Sequence, residues 1–64
     1  MDRLLTVEDI QIILSISKSK AYKLANTPGF PSIRIGTKMI RIPQKDFEEW
    51  ITAYTGKTFS FVEQ

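Results

Sequence analysis

The segment SISKSKAYKL, Ser15 to Leu24, sets Lys18, Lys20 and Lys23 beside Ser17, Ser19 and Tyr22. Cations interleaved with hydroxyls suit reversible binding of a polyanion, the lysines acting as charges and the hydroxyls as short-range hydrogen-bond partners. A second basic group, Arg34, Lys38 and Arg41, follows in SIRIGTKMIRIP, with the hydroxyl of Thr37 beside Lys38. Bond-breaking chemistry has no comparable candidates. The chain lacks histidine and cysteine, so the usual proton shuttle, thiol nucleophile and zinc ligands are missing. Glu48 and Glu49 are adjacent and splay about 100° apart on a helix, which prevents them from working as a paired acid and base. Neither Tyr22 nor Tyr54 has an activating cluster in the sequence. The expectation is a binding protein, not an enzyme, with no metal and no cofactor.

The charge distribution sharpens this reading. From Ser15 to Pro43 there are six cations and no carboxylate, whereas from Gln44 onward two cations face four acids. A net charge of +2 conceals that asymmetry, which predicts one face for a polyanion on a neutral-to-acidic body. At 64 residues the chain is expected to be one domain, burying about 60% of its unfolded surface and leaving no room for a deep catalytic cavity. Its longest apolar run, Ile12 to Leu14, is far short of the ~20 residues that cross a bilayer, and no signal peptide is recognisable. A cytoplasmic protein without membrane association is the expectation.

Positioning these side chains requires a sequence of short elements. Thr6 reads as an N-cap, with Glu8 and Asp9 at the positive end of a first helix over about 7–14. Its apolar stripe is Val7, Ile10, Ile13 and Leu14, with Leu5 stapled against Ile10. Ser17 caps a second helix over about 17–26, ended by Asn26, Pro28 and Gly29; two short helices joined by about three residues, Leu14 to Ile16, have helix-turn-helix spacing. Turning the second helix at about 100° per residue places Ala21, Leu24 and Ala25 inward. Ser19, Tyr22, Lys23 and Asn26 then lie opposite, with Lys18 and Lys20 on the flanks.

Period-two alternation over about 32–42 predicts a β-hairpin with Gly36 at its tip, Ile40 and Ile42 inward, and Arg34, Lys38 and Arg41 presented to solvent. Pro43 opens a third helix over about 44–54, whose stripe of Phe47, Trp50, Ile51 and Tyr54 supplies the main core. The tail, 57–64, can add an edge strand, pack back through Phe59, Phe61 and Val62, or meet a neighbour. The fold class is therefore α+β.

Taken together, LLTVEDI, SISKSKAYKL, GFPSIRIG and IRIPQKDFEEWI resemble the small winged helix-turn-helix proteins of the excisionase and AlpA-regulator type, relatives of the MerR DNA-binding domain. The resemblance runs from about Leu4 to Ile51. It implies that the second helix enters the major groove of double-stranded DNA through Lys18, Ser19, Tyr22 and Lys23, with Ser17 and Lys20 as secondary candidates. It also implies a wing contacting DNA through Arg34, Lys38 and Arg41, with Thr37 secondary because it stands where an arginine is common. As N-cap, Ser17 is already explained without a phosphate contact.

By the same resemblance the protein is an excisionase-like directionality factor of a mobile element, shaping DNA for a site-specific integrase and binding beside further copies of itself. A small transcriptional regulator of a phage or mobile element fits the same residues. A protein-interaction adaptor using the third helix and tail is a third reading, separated from the others by its tolerance of charge reversal at Lys18 and Lys23.

Overall fold

The computed structural model describes residues 3–59. The elements run β1 (Leu4–Leu5), α1 (Val7–Leu14), α2 (Lys18–Ala25), β2 (Ile33–Ile35), β3 (Met39–Pro43) and α3 (Gln44–Tyr54). Three helices pack with a three-stranded antiparallel sheet of order β1-β3-β2, the α+β arrangement of a winged helix.

Each boundary has a local cause. Thr6 Oγ1 accepts from the Asp9 amide at 3.1 Å while Asp9 Oδ2 accepts from the Thr6 amide at 3.0 Å, a reciprocal capping box that starts α1. The Thr6 amide holds the Asp9 carboxyl below its ordinary pKa, its hydroxyl and the nearby Arg3 charge acting in the same direction. At the other end Ser15 turns left-handed, φ 55° and ψ 46°, and the Ile16 amide donates back to the Gln11 carbonyl at 3.1 Å. That reversal lets only three residues separate α1 from α2. Ser17 Oγ then accepts from the Lys20 amide at 3.2 Å.

A non-glycine residue in the left-handed region costs about 1–2 kcal/mol, against the roughly 0.5–1 kcal/mol that glycine adds in chain entropy at an ordinary site, a net gain of about 0.5 kcal/mol. Ser15→Gly is therefore expected to raise the thermal midpoint by about 2–4 °C in a calorimetric or circular-dichroism melt. An unchanged or lower midpoint would mean that the serine side chain holds the turn.

The exit from α2 is more heavily bonded. Thr27, buried, donates its hydroxyl to the Lys23 carbonyl at 2.8 Å, and its own carbonyl accepts from the Phe30 amide at 3.2 Å. Pro28 and Gly29, the latter at φ 92°, occupy the middle of that turn in the order a type II turn requires. It delivers Phe30 into the interior, where its ring stands edge-on to Phe47 at 5.9 Å and to Trp50 at 4.9 Å.

The core comprises Leu5, Val7 and Ile10 from the first segment, Ala21, Leu24 and Ala25 from α2, and Phe30, Ile40, Ile42 and Phe47 from the rest. Ala21 is fully inaccessible, and its small side chain allows α1 to cross α2 closely.

Several features differ from the sequence reading. Leu4 and Leu5 form a strand that two residues cannot announce by periodicity; Leu5 pairs with Ile42 and Leu4 with Pro43. The Arg3 carbonyl accepts from the Gln44 amide at 2.9 Å, satisfying a free donor at the start of α3, where Pro43 offers no capping side chain. Ile13, expected in the buried stripe, is 52% exposed, because it lies about 100° around the helix from the centre of the Val7, Ile10 and Leu14 face. On α3 only Phe47 is fully buried; Trp50 and Ile51 are half-buried and Tyr54 lies at the surface. Phe59 packs back on this helix, 5.3 Å from Trp50 and 5.4 Å from Tyr54 by ring centroids. Phe61 and Val62 fall outside the described residues.

Candidate nucleic-acid interface

The outer half of α2 is the first component of the site. Ala21, Leu24 and Ala25 anchor one side of the helix in the core, so Lys18, Ser19, Lys20, Tyr22 and Lys23 are all left exposed. The helix has no acid in its first turn. Lys18 and Lys20 stand instead at its positive end, where a cation is disfavoured by about 0.3–1 kcal/mol and α1 places Glu8 and Asp9. The arrangement is unfavourable for an isolated helix and becomes favourable when an anion approaches that end.

The hairpin supplies the second component, and its register decides which cations join α2. Ile33 pairs with Arg41, Arg34 with Ile40 and Ile35 with Met39. Directly paired residues share a sheet face, so Arg34 lies on the inner face with buried Ile40, while Arg41 shares the outer face with Ile33, Ile35 and Met39. Arg34 remains exposed and its guanidinium donates to Asn26 Oδ1 at the end of α2. Asn26 is itself fixed, its Nδ2 donating to the Tyr22 carbonyl at 2.9 Å. Two residues earlier, Ser32 Oγ donates to the Ala25 carbonyl at 2.9 Å. The strand is thus tied to the helix terminus at two points, and Arg34 extends the basic surface of α2.

Lys38 and Thr37 are exposed in the three-residue loop that opens at Gly36, whose φ of 70° meets the expectation for the hairpin tip. Arg41 departs from the expected basic wing. It is half-buried, donates through Nη1 to the Ile40 carbonyl at 2.9 Å, and points away from Arg34. The reason is parity: 34 and 41 sit one register step apart across the ladder, which places them on opposite faces. The outer hairpin face is consequently more apolar than the sequence suggested, with Ile33, Ile35 and Met39 each 45–47% exposed.

Asn26 is the residue that sequence reasoning missed. The sequence marks it only as an outward-facing helix stop, and its bond to a side chain eight positions away leaves no local signal. Asn26→Ala is expected to free Arg34 and weaken binding to duplex DNA on the order of fivefold, equivalent to about 1 kcal/mol for a partly solvated charged hydrogen bond. Anisotropy titrations of the single variants and of Asn26→Ala in an Arg34→Ala background check this. Additive losses would show that the two residues act separately.

Among the described residues no group of histidine, cysteine or acidic side chains could hold a metal ion, and no helix is long and apolar enough to cross a membrane. Comparison with family models matches residues 4–55 to a helix-turn-helix domain. No curated protein and no solved structure matches the chain.

Proposed function

Because the chain belongs to this helix-turn-helix domain family, we propose that it binds double-stranded DNA with α2 in the major groove and the hairpin tip against the neighbouring backbone. The observation that carries this reading is the exposed cations of α2 together with Arg34 tied to its C-terminal end, drawn from a 29-residue stretch with no carboxylate. Lys18, Lys20, Lys23, Arg34 and Lys38 neutralise phosphates. Ser19 and Tyr22 reach base edges and set sequence preference. Arg41 acts from the other hairpin face, and Ser17 remains a cap whose neighbouring free amides favour a phosphate.

The role we infer is that of an excisionase-like architectural factor of a mobile element, a binder that performs no chemistry and leaves strand cutting to an integrase. The resemblance of the segments from Leu4 to Ile51 supports it, as does physical scale. One eight-residue recognition helix reads only a few base pairs, so a specific site requires several copies side by side or a partner. Transcriptional regulation would use the same surface. Footprinting on DNA flanking the gene, with and without the neighbouring integrase, separates the two. Protection of repeated sites in an attachment region supports excision, protection confined to a promoter supports regulation, and no protection at any duplex overturns DNA binding itself.

A further inference from the structure

A second surface lies outside the proposed DNA interface. Between α1 and α3 runs an open groove of about 350 Å³, to which neither α2 nor β2 contributes a residue. Phe47 forms part of its floor and Ile12, Ile13 and Ile51 its walls. Ile12 is 75% exposed, the highest value among the exposed large hydrophobic side chains of the described residues. Its neighbour Ile13 is 52% exposed, so two adjacent isoleucines meet water on a helix of only eight residues. The polar lining includes two acids, Asp9 and Glu48, against a single cation, Arg3. Glu8, Asp46 and Glu49 lie on the same two helices, so every acid of the described residues belongs to α1 or α3.

We propose that this groove is a docking site for a cationic amphipathic helix of a partner protein, whose apolar side chains enter between Ile12, Ile13 and Ile51 while its lysines or arginines meet Asp9 and Glu48. Charge complementarity selects this occupant over a second copy. A two-fold pairing through the groove would bring two sets of the same acids into one desolvated interface. A head-to-tail pairing would need the other copy's cation-rich surface, which is the one that DNA covers. The exclusion of a head-to-tail copy rests on the proposed DNA binding, and because neither α2 nor β2 lines the groove, a partner and a duplex can bind at once.

The test uses the full chain and a fluorescein-labelled leucine–lysine helical peptide, with a leucine–glutamate peptide of the same apolar pattern as comparator. The lysine peptide is expected to bind at least about tenfold more tightly than the glutamate peptide. Ile12→Ser with Ile13→Ser, and separately Glu48→Lys, should each weaken it by about tenfold. These positions are solvent-facing, and circular dichroism reports that each variant is folded. Amide shift changes on titration should fall in α1 and α3. Equal affinity for the two peptides, or shift changes centred on α2 and the hairpin, would overturn the proposal. So would concentration-dependent dimerisation of the free protein that Ile12→Ser abolishes, since the groove would then belong to a second copy.

Discussion

Reversing two charges on α2, Lys18→Glu with Lys23→Glu, is expected to reduce affinity for duplex DNA on the order of 100-fold at 0.1 M salt while leaving the fold intact. Each phosphate contact contributes a slope of about −0.9 in log affinity against log salt, so at 0.1 M each is worth roughly eightfold and two roughly sixtyfold. Repulsion between the new carboxylates and the backbone adds to that loss. Both lysines are exposed, and Ala21, Leu24 and Ala25 continue to hold the helix in the core. Lys18 is the first residue of α2, where a glutamate suits the helix dipole; Lys23 lies in its last turn, where a glutamate costs about 0.3–1 kcal/mol.

The two changes therefore nearly cancel in stability and combine in binding, which makes the variant a clean probe. Anisotropy titrations over a salt series should show the slope fall by about 2, and far-ultraviolet circular dichroism should be unchanged. Retention of affinity within about threefold would place the DNA elsewhere and favour the adaptor reading.

What the sequence makes legible and what it hides divide along a physical line. Local causes are visible: the Thr6 and Ser17 caps, the left-handed glycine at the hairpin tip, and the three-residue spacing between α1 and α2 all depend on residues within a few positions of each other. Periodicity over a full element is also visible, which is why the inner face of α2 and the inward positions of Ile40 and Ile42 could be read directly. Pairing between distant segments is not. The strand at Leu4 and Leu5 exists because β3 offers it a partner, and the bond from Arg34 to Asn26 exists because the turn at Pro28 and Gly29 folds the hairpin back onto α2.

The basic wing shows the same limit more sharply. Counting cations in the hairpin suggests a single surface, yet the ladder register, which composition does not reveal, sends Arg34 and Arg41 to opposite faces. The interface we propose is thus centred on α2, with the wing contributing through its inner face and tip and Arg41 acting from its outer face.

The core offers the second large effect. The aromatic stripe of α3 reads in sequence as equivalent positions, but the structure ranks them: Phe47 is 2% exposed and sealed among Ile10, Ile42 and Phe30, whereas Trp50 is half-buried. Removing a sealed ring leaves a cavity that its neighbours cannot fill, so Phe47→Ala should cost about 3–5 kcal/mol. A chain of this size has roughly 3–10 kcal/mol in total, so the variant should be largely unfolded near 37 °C.

Trp50→Ala also removes a large ring, one whose centroid lies 4.9 Å from Phe30 and 5.3 Å from Phe59. Its site opens toward solvent between Leu14 and Tyr54, so water and side-chain relaxation replace part of the lost contact and the cost should be nearer 2 kcal/mol. Urea denaturation of both variants gives the order. Phe47→Ala should also lose DNA affinity more steeply with temperature, because Phe30, released from Phe47, no longer fixes the turn that carries the hairpin onto α2. Should Trp50→Ala prove the more damaging, the centre of the core lies in the aromatic cluster at the C-terminal half of α3, and the bonds of Ser32 and Asn26 rather than Phe30 hold the wing to α2.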